Sequence, residues 1–579
     1  MTKRGLIPNL ASCLVLTGCV GINWSFLEPR RESDTESNQL EGTTQDITAS
    51  LAYRDTVARF ARFQGMRKMR VRGYGLVVGL GDRGSAQCPP QLRRTLIQDM
   101  HKQPEFQRVG AGQATPEQLI DSPDTTVVMV QGDIPAAAAE GARFDLYVQA
   151  LPGSQTISLE GGRLRPCQLR IYRDVSVDAS VPGKPLATAE GPIFRNPFGD
   201  REDAATSANA QQGVVIGGGT TLEARRVRLV MSRPSYRQTM AIARRINSRF
   251  KGTKVAEAES PSYIRLHVPQ EYRDDPGHFL ALVRHLYVPD RTGFAEQRAR
   301  ALAKEVLEDN ACYEDIALAW EGIGRPALPT ISKLYGHASK AVSFYAARTG
   351  VRLDHHLAVP ALARHACDPA GQMRLPAIEA LGRARGSLGL LRPLRRLLDD
   401  PDPRIRVAAY EALHRRNDKT ITSWRIGDDN FILDKVPFGH ENLIYAKRSG
   451  DRRIAILGDG VRCERPIFYN DPGGQFILNA EEDDATLTVL RRTPQDGIVS
   501  PPIPVDCEVD ALLAMLGNRP ERHENGEVGG LGVDYSALVE ALHELCRLQA
   551  INAKFMLEQE TTIELFGPLA RPGRPESEL

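Results

Sequence analysis

Five glycines fall within the fifteen residues VRGYGLVVGLGDRGS, Val71 to Ser85, around a short apolar run. Glycine has no Cβ, so it takes positive φ without penalty and lets other backbone come close. Such a stretch either cradles a phosphate or shapes the chain itself. A Walker loop needs G-x-x-x-x-G-K-[ST], because lysine and hydroxyl must meet phosphate and magnesium. Gly75 to Gly81 has the wrong spacing and no lysine follows. A dinucleotide fingerprint needs G-x-G-x-x-G between a strand and a helix. Gly73-Tyr74-Gly75 begins well, but Leu76-Val77-Val78-Gly79 is one residue too long, and the apolar run lies inside the glycine pattern. Leu76 to Leu80 therefore reads as a buried strand flanked by turns. Gly73, Gly75, Gly79 and Gly81 are expected to supply positive φ and close backbone approach, and Asp82 a turn. No cofactor is expected here.

Alternating patterns recur along the chain. Asp124 to Pro135 reads as a strand, and Phe144, Leu146 and Val148 alternate with Asp145, Tyr147 and Gln149. Val227, Leu229 and Met231 are spaced likewise, as are Ile264, Leu266 and Val268. Ser235 and Gln238 have capping-box spacing before a helix over 236–250. Its Met240, Ala243, Ile246 and Phe250 are expected on one side. Near the end Leu538, Leu542 and Leu545 make a second stripe, with Asp534 as N-cap. Strands with a few covering helices give an α+β fold.

Residues 305–420 follow another period, rich in Ala, Leu and Arg with Pro and Gly breaks. Three pieces align: SKAVSFYAARTG from Ser339, QMRLPAIEALGRA from Gln372 and PRIRVAAYEALHRR from Pro403. They superpose Ala346 on Ala380 and Ala412, and Phe344 on Ile378 and Tyr410, with steps of 34 and 32 residues. The last piece follows a helix ended by an Asp-Pro turn. A helix pair cannot bury its stripe alone, so about three stacked copies make a minimal unit. The pattern resembles HEAT-type pairs, and such a stack is expected to dock a protein partner or act as a spacer.

At 579 residues the chain exceeds one core, and about 100–200 residues per domain suggests three or four. The net charge of +2, from 74 basic and 72 acidic residues, gives no reason to expect a nucleic acid partner. Arg225-Arg226, Arg244-Arg245 and Arg395-Arg396 read as solvated faces. Lys3 and Arg4, a short apolar run to Leu16, then Leu-Thr-Gly-Cys read as a secretory signal ending in a bacterial lipobox. Cys19 is the expected lipidation site, with cleavage before it. Val20 and Gly21 are not acidic, which favours the outer membrane. Residues 28–50, polar and rich in Glu, Ser and Thr, read as a flexible tether.

Candidate chemistry is sparse. No catalytic, cofactor-binding or metal residue is expected. His355, His356, His365 and Cys367 lack zinc spacing and read as scattered helix-surface residues. His543 and Cys546 are i, i+3 on the closing helix, where Cys546 lies beside the leucines and reads as core. Glu481 to Asp484 lacks calcium-loop spacing and reads as a solvated turn. The seven cysteines beyond Cys19 are dispersed and their pairing is unreadable.

The opening stretch, GYGLVVGL with its glycine-rich turn, resembles the N-terminal signature of the flagellar P-ring protein family. DTTVVMVQGDIP (124–135), GARFDLYVQALPG (141–153) and the Gly161-Gly162-Arg163-Leu164 turn follow in family order, as do Gly218 to Met231 and the helix after it. LVEALHELCRLQAINAKFMLE (538–558) resembles the closing helix and strand. The resemblance covers roughly 60–300 and 430–565, and makes Gly73, Tyr74, Gly75, Gly79, Gly161 and Gly162 signature residues of structural kind. It implies a non-enzymatic periplasmic subunit forming a homo-oligomeric ring around the flagellar rod, a bushing beside the L-ring protein and peptidoglycan. Typical members lack the helical insertion and are soluble, the L-ring protein being the lipidated one.

The expected organisation is a signal (1–18), a tether (19–50), a P-ring-like α+β region (51–300), HEAT-like repeats (301–422), a C-terminal P-ring-like domain (423–565) and a disordered tail (566–579). The rival reading is an outer-membrane lipoprotein scaffold that recruits a protein partner through the repeats, outside any flagellum. An enzyme is the third.

Overall fold

The computed structural model describes residues 50–103, 114–171, 184–194, 210–250, 254–273, 275–289, 291–384, 389–427, 430–471, 474–491, 500–520 and 529–558. The expected signal, Cys19, most of the tether and the tail lie outside them. The fold is α+β, as the patterns imply.

Ten strands form the first half: β1 (Ala61–Gln64), β2 (Met69–Val78), β3 (Thr126–Ile134), β4 (Arg143–Ala150), β5 (Arg163–Arg170), β6 (Pro185–Pro192), β7 (Gln212–Thr221), β8 (Val227–Met231), β9 (Ala256–Ala258) and β10 (Tyr263–Leu266). Six close into an antiparallel barrel in the order β2-β3-β4-β7-β6-β5. Alternation puts Val71, Val77, Val128, Val130, Leu146, Val148, Leu164 and Leu169 inside, where they pack as one core. Leu76 points outward, and Leu96, Met100 and Ile120 cover it. Those three residues come from helices α2 (Pro90–His101) and α3 (Pro116–Ile120), which follow the short turn α1 (Val57–Phe60).

The other four strands form the sheet β1-β8-β10-β9. Val227, Leu229, Met231, Ile264 and Leu266 are buried there, whereas Val268 lies past the strand end and is half-buried. Helices α4 (Tyr236–Arg249) and α5 (Pro276–His285) share that core. Ser235 caps α4, accepting from the Gln238 amide at 3.4 Å. The stripe is Thr239, Ile242, Ala243 and Ile246, with Phe250 buried just beyond. Ala243, Ile246 and Phe250 are buried as expected, whereas Met240 is 49% exposed. The real face is centred on Ile242–Ala243, and Met240 falls at its edge.

A stack of helices comes next: α6 (Phe294–Glu305), α7 (Tyr313–Ile323), α8 (Leu328–Ile331), α9 (Lys340–Arg352), α10 (Val359–Cys367), α11 (Arg374–Arg383), α12 (Leu391–Leu397) and α13 (Pro403–Arg415). Helices α7, α9, α11 and α13 pack in succession, with α10 against α9 and α11 and α12 against α13. Ala346, Ala380, Ala412, Phe344, Ile378 and Tyr410 are all buried. Gly382 lets α11 and α13 touch: a Cβ there would lie 2.7 Å from that of Ala412.

Nine more strands follow among the described residues: β11 (Thr422–Ile426), β12 (Phe431–Val436), β13 (Leu443–Ala446), β14 (Arg453–Leu457), β15 (Ile467–Asn470), β16 (Phe476–Ala480), β17 (Leu487–Arg491), β18 (Ile503–Val505) and β19 (Lys554–Leu557). They make a mixed sheet β11-β12-β14-β13-β19 and an antiparallel sheet β15-β16-β17-β18. Both share a core with α14 (Val509–Gly517) and α15 (Tyr535–Arg547). Leu538, Leu542 and Leu545 are buried, and Asp534 caps α15 by accepting from the Ser536 and Ala537 amides at 2.9 and 3.1 Å.

Buried charge marks both ends of the helical stack. At the first, Glu321 on α7 meets His278 on α5 at 2.8 Å and Arg352 on α9 at 3.4 Å. Burial pushes the Glu321 carboxyl up, but His278, Arg352 and Arg249 outweigh it and hold it at about 2. Six residues earlier on the same helix, Asp315 accepts from the Tyr53 hydroxyl at 2.6 Å and sits 3.3 Å from His285. At the far end, Asp434 on β12 is fully buried among Tyr410 and His414 of α13 and Arg453 of β14.

Candidate functional site

The glycine signature lies at the seam where β2 meets β5 and the barrel closes. Val71, Gly73, Gly75 and Val77 face inward, whereas Arg70, Arg72 and Tyr74 face out. A Cβ at Gly73 would fall 2.3 Å from the Gln168 carbonyl oxygen and one at Gly75 2.8 Å from Leu164 Cδ1 and 3.0 Å from Cys167 Sγ. The β2–β5 register shifts between Arg72 and Val77. The two glycines therefore let β5 cross close over β2. Neither has positive φ, so that half of the expectation is corrected: they sit inside the ten-residue strand Met69–Val78, which starts earlier than the apolar run alone suggests.

Positive φ belongs to Gly79 (+81°) and Gly81 (+60°), where the strand ends. The turn they form has one partner that sequence reasoning missed. The Asp124 carboxylate accepts from the Gly79 amide at 3.3 Å and the Gly81 amide at 2.6 Å. The Leu80 amide donates to the Asp124 carbonyl at 2.9 Å. In a phosphate loop these amides would point at the ligand. Here a carboxylate from the turn that leads into β3 occupies those of Gly79 and Gly81. Asp82 sits exposed in the following 3₁₀ turn, as expected.

Gly161 and Gly162 close the same seam from the other side. Gly161 takes φ +70°. A Cβ on Gly162 would lie 2.6 Å from Val77 Cγ1 and 2.7 Å from Leu80 Cδ2. Arg83 ties the two turns together, donating to the Leu80 carbonyl at 3.2 Å and the Glu160 carbonyl at 3.0 Å. Five of the six signature residues thus meet in one packing joint. The sixth, Tyr74, lies outside it, 37% exposed opposite Met129 of β3.

The other singled-out side chains do not converge. His355 and His365 are half-buried rather than surface residues. His355 bonds the Tyr335 hydroxyl at 2.8 Å and His365 the Ser343 hydroxyl at 3.0 Å. Burial lowers the pKa of each. His543 meets the Phe555 ring edge-on. Cys546 packs against the core, and burial pushes its thiol to about 12. Glu481 to Asp484 form an exposed turn closed by the Glu481 amide on the Asp484 carboxylate at 2.8 Å.

The barrel is filled by its own side chains, and its signature turn is satisfied by its own carboxylate. A family model described as flagellar P-ring protein matches residues 56–295. The flagellar P-ring protein of Thermotoga maritima is 31% identical over 261 residues, 42% of this chain and 70% of that one. That of Geobacter metallireducens is 28% identical over 272 residues, covering 45% and 66% of the two chains. That of Syntrophotalea carbinolica is 25% identical over 310 residues, covering 52% and 77%. The chain belongs to the flagellar P-ring protein family, structural components of the periplasmic flagellar basal body and not enzymes.

Proposed function

We propose that the chain assembles head-to-tail into a ring around the flagellar rod and serves as a bushing for the turning shaft, beside the L-ring protein and peptidoglycan. A ring subunit meets its neighbours through two unlike surfaces, and closure satisfies both. The observation that carries the reading is the identity to P-ring relatives over the barrel and its adjoining sheet. Open strand edges at β1, β9, β11 and β19 leave surface for such contacts among the described residues. The helical stack acts as a HEAT-like partner-docking module and does not hold the 51–300 and 423–565 regions apart, since Phe194 and Ile216 of the first share a core with the second. A lipid on Cys19 holds the subunit at the outer membrane, since several acyl chains anchor firmly. No helix among the described residues is long and apolar enough to cross a membrane.

Electron microscopy of basal bodies with this protein labelled tests the ring. Label at the rod circumference is expected, and its absence there contradicts the reading. Cys19→Ser should release the protein from the membrane pellet, whereas retention contradicts lipidation. The scaffold alternative draws on Leu307, Leu357 and Leu375, which the helical stack leaves 44–57% exposed; it predicts a monomer at every concentration.

A further inference from the structure

The sheet β1-β8-β10-β9 has one face sealed by α4 and α5 and a second face that no described element covers. Register places Arg62, Val230 and Tyr263 in one row across that open face. Gln64, Arg228, Arg265 and Glu257 form the next row. Val230 is half-buried and Tyr263 is 40% exposed, so the middle is apolar and aromatic. The surround mixes paired arginines and glutamates with a few unpaired cations. Glu259 pairs with both Arg228 and Arg265. Arg62, Arg67 and Lys68 are exposed and have no carboxylate within ion-pair distance among the described residues. An aromatic centre with an arginine surround is the composition of an interface core and rim.

The 54–72 stretch holds seven basic residues against Asp55, in a chain whose total is only +2. The balancing acid lies elsewhere. Glu481 to Asp484 place four carboxylates in a row at the exposed tip between β16 and β17. The Asp484 carboxylate accepts from the Glu481 amide of its own turn. The subunit is thus polar, with a cationic sheet face in its first half and an anionic hairpin tip in its second. We infer that the open face of β1-β8-β10 receives the Glu481–Asp484 hairpin of a second copy of this chain. The two surfaces are unlike, so the contact is heterologous and can propagate around a ring. This inference rests on the ring reading and names the surfaces that would make it.

Three variants of the full-length lipoprotein in detergent test it by sedimentation velocity at 50 and 300 mM salt. The face variant carries Arg62→Glu and Arg67→Glu; the tip variant carries Glu482→Lys and Asp483→Lys; the third carries all four. Each partial variant should weaken self-association at least tenfold at 50 mM salt, and the wild type should weaken at 300 mM. The fourfold variant, its charges exchanged, should recover association, as should a mixture of the two partial variants. Far-UV circular dichroism and thermal melts confirm that each variant folds; these side chains are exposed, so unchanged melts are expected. Wild-type-like association in both partial variants overturns the contact while the ring reading stands. Failure of the exchange to restore association overturns it too. A wild type monomeric throughout overturns both.

Discussion

The barrel and the helical stack solve the same problem, burying a core, by opposite means. At the barrel seam, strands approach because side chains are missing: Gly73, Gly75 and Gly162 leave no room for a methyl group. At the ends of the stack, helices and sheets meet through charge: Glu321 with His278 and Arg352, and Asp434 with Arg453, His414 and Tyr410. The difference lies in what each tolerates. A glycine seam answers to volume and is indifferent to pH. A buried ionic joint answers to charge and does not tolerate the loss of one partner.

The largest expected effect breaks that contrast at the stack. Glu321→Gln removes the buried carboxylate from Arg352 and His278 and should lower unfolding free energy by about 3–5 kcal/mol, read as a urea midpoint shift at pH 7. Conservation of stability in this variant would make the joint ordinary packing. Acid sharpens the same point. The Glu321 carboxyl sits at about 2 against an ordinary 4.5. A depressed acid stabilises fully above its unfolded value and loses that contribution as pH falls through its folded one. The gap between wild type and Glu321→Gln should therefore be full at pH 7 and shrink steadily between pH 4.5 and 2. A gap independent of pH would contradict it.

Asp124→Ala is next, at about 2 kcal/mol, because it strips a charged acceptor from the Gly79 and Gly81 amides. If those amides instead serve an anion, the variant gains no stability loss but alters phosphate binding, which calorimetry separates. Ser235→Ala should cost least, about 1 kcal/mol, from the N-cap of α4.

How legible this was from residues depended on whether a feature is local. Phe144, Leu146 and Val148 announced their face because alternation is a property of one strand. Ala346, Ala380 and Ala412 announced theirs because a repeat copies its own environment. The barrel seam was half-legible. Glycines marked close approach, but whether Gly73 turns or packs depends on β5, ninety residues on. Asp124 was missed for the same reason: it looked like the first residue of a strand, and its partners are the amides of another turn. Helix α7 hid its joint differently. Its residues from Ile316 to Ile323 are all buried, so no stripe separates core from contact, and Glu321 gives no sign of His278. Met240 misled because 3.6-residue spacing fixes which residues share a face but not which face the sheet covers.

Gly73, Gly75 and Gly162 are at the seam for volume, whereas Gly79 and Gly161 are there for positive φ. Equilibrium urea unfolding of Gly73→Ala beside Gly141→Ala tests this most directly. Gly141 has φ +75° but open space around its Cβ position, whereas Gly73 has ordinary φ and the Gln168 oxygen 2.3 Å away. Gly73→Ala should lose about 3 kcal/mol and Gly141→Ala about 1 kcal/mol. Equal losses, or a fully stable Gly73→Ala, would contradict the packing role of the seam.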